Sequence, residues 1–95
     1  MRRWIRPLLF TLKSSQWMKA TWGEYMELRW EVAWSDGAEH HPVGECRRLS
    51  IRGPNSGTWH RWEAWPPGAT EALRPPHTTL IGAGRALARR AGKEC

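Results

Sequence analysis

The chain is poor in the groups from which sites of chemistry are built. It has one aspartate and two cysteines, and no serine placed in a strand-to-helix nucleophile turn. Cys46 has Glu45 beside it instead of an activating base. Even with His60 able to approach across a hairpin, an inert thiol is the simpler expectation. Two cysteines, one of them the last residue Cys95, are too few for a disulfide framework, so both are expected as reduced thiols. No segment approaches the roughly 20 apolar residues of a membrane-crossing helix, so no membrane partner is expected and a cytoplasmic protein is the default. Residues 1–19 are Arg-rich, free of acids and contain Ser14 and Ser15, which makes an organelle matrix the alternative compartment. The apolar run 7–12 is too short for a secretory signal, and no small-residue cleavage site follows it.

Phenylalanine and tyrosine occur once each. Their place is taken by eight tryptophans: Trp4, Trp17, Trp22, Trp30, Trp34, Trp59, Trp62 and Trp65. A 95-residue domain buries only roughly 60–65% of its unfolded surface, so it needs large side chains in its core and cannot hide all eight indoles. About half are expected to be core. The remainder suit recognition, because indoles anchor interfaces and their faces attract Arg, which supplies twelve of the fifteen basic residues.

The net charge of +6 is unevenly spread. Residues 1–23 carry +5, residues 24–45 carry −5 and residues 46–95 carry +6. The acidic middle can pair with the flanks inside the fold. The excess then predicts an anionic partner: nucleic acid, a nucleoprotein complex or an acidic protein surface.

Residues 25–34 alternate strictly: Met26, Leu28, Trp30, Val32 and Trp34 against Tyr25, Glu27, Arg29, Glu31 and Ala33. A period of two over ten residues predicts a strand with one buried face. Ser35, Asp36 and Gly37 end it, and a loop is expected through His40, His41 and Pro42. Residues 46–52 read as a second strand and 58–65 as a third, joined by a turn-forming loop at 53–57. Residues 8–12 and 16–22 fit either strand or helix. A strand pair joined at Lys13, Ser14 and Ser15 is the favoured reading.

Prolines 66, 67, 75 and 76 make 66–78 a connection with polyproline character. Thr78 is then placed to cap a helix over 79–91 that stops at Gly92. Leu80, Gly84, Leu87 and Ala91 share one face of it, while Arg85, Arg89 and Lys93 line another. Gly82 and Gly84 each weaken this helix by about 1 kcal/mol relative to Ala, so it needs support from the fold or a partner. The expected fold class is therefore α+β: a small antiparallel sheet of three to five strands with a C-terminal helix. Its segments are 1–23 (basic arm or first strands), 24–65 (sheet), 66–78 (connection) and 79–95 (basic helix and tail).

Three indoles recur at spacing three in Trp59, Trp62 and Trp65. A regular strand sets Trp62 on the face opposite the other two, whereas a polyproline-like backbone sets all three in one row. This spacing resembles the tryptophan strand of thrombospondin type 1 repeats, where arginines slot between the indoles. The resemblance covers residues 59–65, and that family's six half-cystines are missing. It implies stacking of Arg47, Arg48 or Arg52 on the indoles.

Gly82-Ala83-Gly84 begins like a dinucleotide fingerprint, but Leu87 stands at the third glycine position and too little chain follows for a βαβ unit. His40, His41, Cys46, His60 and His77 match no standard zinc spacing, so neither metal nor other cofactor is expected. Arg85, Arg89, Arg90 and Lys93 form a basic cluster with no acid between Glu71 and Glu94.

The composite expectation is a small non-enzymatic accessory protein docking on nucleic acid or a nucleoprotein machine. Its candidate binding residues are Arg47, Arg48, Arg52, Trp59, Arg61, Trp62, Trp65, Arg85, Arg89 and Arg90. The competing expectations are a protein-only binder, such as an inhibitor occluding an acidic nucleic-acid channel, and a structural subunit of a larger assembly.

Overall fold

The computed structural model describes residues 1–21, 23–53 and 57–93, giving the strand path alone at 52–53 and 57–59. Five strands, β1 (Arg2–Ile5), β2 (Leu8–Ala20), β3 (Gly23–Ser35), β4 (His40–Gly53) and β5 (Gly57–Trp65), precede one helix, α1 (Leu80–Arg90). The strands form a single antiparallel sheet in chain order. This is the α+β class that the alternation in 25–34 and the C-terminal helical pattern predict.

The strands are longer than the sequence pattern suggests, for identifiable reasons. Residues 8–20 are one strand, not a pair joined at 13–15. A β-bulge between Leu12 and Ser14 absorbs Lys13 as an extra residue, so that Leu12 before it and Ser15 and Trp17 after it lie on the same face. The expected loop through His40, His41 and Pro42 is instead the start of β4. It pairs with Ser35, Trp34 and Ala33, and a second irregularity at Val32/Ala33 accommodates the proline. The centre of the predicted 53–57 loop lies outside the described residues.

Register sorts the side chains into two faces. One carries Leu8, Phe10 and Leu12 on β2, Trp34, Val32, Trp30 and Leu28 on β3, Cys46 and Arg48 on β4, and Ala64 and Trp62 on β5. Helix α1 packs here and buries Leu80, Ala83, Gly84, Leu87 and Ala88 against Leu8, Phe10, Trp30, Val32, Val43, Cys46 and Ala64. The opposite face, with no helix on it, carries Glu27, Arg29, Glu31, Glu45, Arg47, Arg61, Glu63 and Trp65. Trp30 is a core residue, and Trp34 is half-buried beside the His41 ring and Lys93.

The helix begins one residue later than predicted: Thr79, not Thr78, is the N-cap, and its hydroxyl accepts from the Gly82 N–H at 3.0 Å. Its C-terminus closes as a Schellman motif. Gly92 adopts φ +78°, its N–H donates to Arg89 O, and the Lys93 N–H donates to Ala88 O. Ala91, expected on the buried face, is exposed at this cap.

Two glycines set the helix's distance from the sheet. A Cβ at Gly84 would lie 2.6 Å from Phe10 Cζ and 2.7 Å from Phe10 Cε1. At Gly44, where φ is +136°, it would collide with the Trp65 carbonyl oxygen and reach Leu87 Cδ2 at 3.0 Å. Gly84→Ala therefore tests whether close packing or helix propensity governs. Alanine gains about 1 kcal/mol of propensity but overpacks the core by about 1–3 kcal/mol. We expect a net loss of about 1 kcal/mol, read as a lower midpoint in urea unfolding; a higher midpoint contradicts the packing account.

Candidate docking surface

On the helix-free face, every strand carboxylate is matched. Arg29 Nε donates to Glu27 Oε1 at 2.6 Å, Arg47 Nε to Glu45 Oε1 at 2.5 Å, and Arg61 Nη2 lies 3.1 Å from Glu63 Oε2. Lys13 Nζ, placed on this face by the bulge, reaches Glu31 Oε2 at 3.3 Å. Each arginine bonds the carboxylate two residues away on its own strand, which also spreads apart the like charges of Arg29 and Arg47, directly opposite each other. Glu27 is buried, and its hydrogen bond holds the Arg29 guanidinium pKa above its ordinary value. The Arg47 guanidinium also lies 3.8 Å from the centroid of the Trp65 ring, whose N–H donates to Glu63.

The candidate residues are thus divided by register. Arg47, Arg61 and Trp65 belong to this neutralised face and are already bound to one another and to Glu45 and Glu63. Trp62 is on the opposite face, so Trp62 and Trp65 do not share a row: β5 is a regular strand. Arg48 lies over Trp62 at 5.8 Å, giving a second arginine–indole pair on the helix-bearing face. The side chains of Arg52 and Trp59 lie outside the described residues.

The helix-bearing side has the opposite electrostatic character. Among its strand positions the one described acid is Glu24, directly opposite Lys19. Against it stand Arg3, facing Phe10 in the register of β1, Arg48, and the exposed Arg85, Arg89 and Arg90 of α1. No ion pair among the described residues involves any of these five arginines. The excess positive charge is thereby gathered on one side of the molecule.

Helix length leaves part of this side bare. Eleven residues of helix span about 16 Å, whereas the thirteen residues of β2 or β3 span about 43 Å. Beyond the helix the sheet carries Ser15 and Trp17, Met26, Arg48 and Ser50, and His60. Trp17 is 67% exposed. Sequence alone does not single it out, because residues 16–22 also fit a helix and only the strand places Trp17 on this face. Arg3 escapes sequence reasoning for a similar reason: nothing in its neighbours marks β1 as a strand.

Two arrangements resemble catalytic pairs. His60 Nδ1 is 2.8 Å from Ser50 Oγ, but its Nε2 faces Arg48 Nη2 at 3.1 Å. The same Arg48 nitrogen lies 3.2 Å from Nδ1, and an arginine has only donors to offer, so it competes with the serine hydroxyl for the one acceptor nitrogen of a neutral ring. His60 also does not approach Cys46, which pairs with Ala64. Burial, and secondarily the Glu45 charge, push the Cys46 thiol up to about 12. Among the described residues no three His, Cys, Asp or Glu side chains converge as a metal site requires. Among them, too, no helix is long and apolar enough to cross a membrane.

No family model matches the chain, and no curated protein or solved structure shows significant similarity to it. At pH 8, where an ordinary thiol is partly ionised, folded protein should leave Cys46 at least about 100-fold less alkylated by iodoacetamide than unfolded protein, as read by peptide mass mapping. Rapid labelling of Cys46 in the folded state contradicts its placement.

Proposed function

We propose that this protein docks, without catalysing a reaction, on nucleic acid or a nucleoprotein surface through its helix-bearing side. The observation that carries the reading is the sorting of charge by strand register. Carboxylates and their partner bases cancel on one face, while Arg3, Arg48, Arg85, Arg89 and Arg90 remain without an ion pair among the described residues on the other. Backbone phosphates are bound by such uncompensated arginines through counterion release, which requires positive charge in excess of any internal pairing. The neighbouring pair Arg48 and Trp62 lies on the same face and supplies an aromatic surface for a base. Of the residues that the sequence singles out, Arg48, Trp62, Arg85, Arg89 and Arg90 keep this role, and Arg47, Arg61 and Trp65 serve to hold the opposite face together.

Anisotropy of labelled single-stranded and duplex oligonucleotides, titrated across a series of salt concentrations, tests this reading. Binding should weaken linearly in log–log form. Replacing Arg85, Arg89 and Arg90 by Ala should flatten the slope by about 2 on single strands, near 0.7 for each phosphate left without its arginine. Arg47→Ala should leave the slope unchanged. Absence of binding at low salt refutes the nucleic-acid reading, and equal slopes for the triple variant and the parent refute the assignment of the surface.

A further inference from the structure

The bare end of the helix-bearing face is organised as two rows of side chains that cross four strands. One row is Ser15, Leu28, Arg48 and Trp62, and the next is Trp17, Met26, Ser50 and His60. Contacts between the rows show that both occupy one face. The Ser15 hydroxyl lies 3.5 Å from Met26 Sδ, and His60 approaches Ser50 at 2.8 Å and Arg48 at 3.1 Å. Ser15, Trp17 and His60 are exposed.

The chemistry of these eight positions selects a partner. They carry two indoles, an imidazole and a guanidinium but no carboxylate, and they share their side of the molecule with Arg3 and the arginines of α1. Trp17 is 67% exposed, so its ring is open to a planar group. A polyanion that bears planar groups engages both features, the arginines through its phosphates and the indoles through its bases. A duplex engages only the first, because its base faces are closed within its own stack. Nor does this face enter a groove. Four strands set the backbones of β2 and β5 about 14 Å apart, whereas a major groove about 12 Å wide admits a helix or a two-stranded ribbon.

We propose that the bare end of the helix-bearing face binds single-stranded nucleic acid, with one unpaired base stacked on Trp17 and another on Trp62. This inference rests on the nucleic-acid reading above and narrows it to strands whose bases are unpaired. Trp17 stands on β2 and Trp62 on β5, in different rows, so a strand that touches both crosses the sheet and passes Arg48 on the way. Base faces and phosphates are common to RNA and DNA, so the surface accepts either.

Anisotropy titrations with a labelled single-stranded DNA, its duplex, and an abasic strand of equal length that keeps every phosphate test the proposal. Trp17→Ala should weaken binding of the single strand at least about 5-fold and leave duplex binding unchanged. The salt slope should stay that of the parent, because an indole releases no counterions. Trp17→Phe should retain the binding that Trp17→Ala loses. Gln16→Ala, on the same strand but the opposite face, should bind as the parent does. The abasic strand should bind the unaltered protein at least about 5-fold more weakly than the strand with bases, a readout that no folding defect can mimic. Absence of all binding at low salt refutes the nucleic-acid reading and this inference with it. Where binding occurs, equal affinity for the abasic strand, a neutral Trp17→Ala, or an equal loss on duplex and single strand overturns this inference and leaves the broader reading standing.

Discussion

The fold depends on how closely one short helix can approach one long sheet. Gly84 lies against the Phe10 ring and Gly44 against the Trp65 carbonyl and Leu87, so at each point of closest approach one partner has no side chain. Only at that separation can Leu80, Ala83, Leu87 and Ala88 close over Val32, Cys46 and Ala64. The small size of Ala83, Ala88, Cys46 and Ala64 follows from the same constraint: larger residues would lift the helix and open voids that close-packed interiors do not tolerate. A chain with one phenylalanine and two valines builds its core by spacing as much as by bulk.

That docking also decides what the rest of the sheet is for. The helix-free face cannot rely on a second layer, so it covers itself with long charged side chains. Their stems lie over Leu49, which is 9% exposed, and their charged ends pair within the face. Matching four carboxylates in this way consumes Lys13, Arg29, Arg47 and Arg61. Of the described bases that remain, Arg2 is the one that register sets on this face, opposite Thr11, so electrostatic asymmetry is a by-product of stabilising an uncovered sheet.

The alternation in 25–34 was sufficient to establish the central strand, its buried face and Trp30 as core, because burying one face of a sheet imposes a period of two. Thr79 to Gly92 was legible as a helix within one residue at its start because caps are local chemistry. Other features depended on partners distant in sequence. Lys13, Ser14 and Ser15 resemble a turn, and only pairing with β3 turns them into a bulge within a continuous strand. Spacing alone could not divide Arg47 from Arg48 by role. Adjacent in sequence, they fall on opposite faces, one bound to Glu45 and Trp65 and the other to His60 and Trp62. The tryptophans likewise separate by face, with Trp62 and Trp65 on opposite sides of β5 and Trp17 exposed on β2.

The mismatch between about 16 Å of helix and about 43 Å of strand also divides the molecule by stability. Near the helix, opening a backbone hydrogen bond means uncovering Leu8, Phe10 and Val32, which amounts to global unfolding. Towards the β2–β3 hairpin, where few apolar side chains hold the ladder, it means parting strands that water already reaches on both faces. The far end of the sheet can therefore fray and re-form while the core stays closed. A partner that binds there raises the free energy of local opening without altering that of the whole.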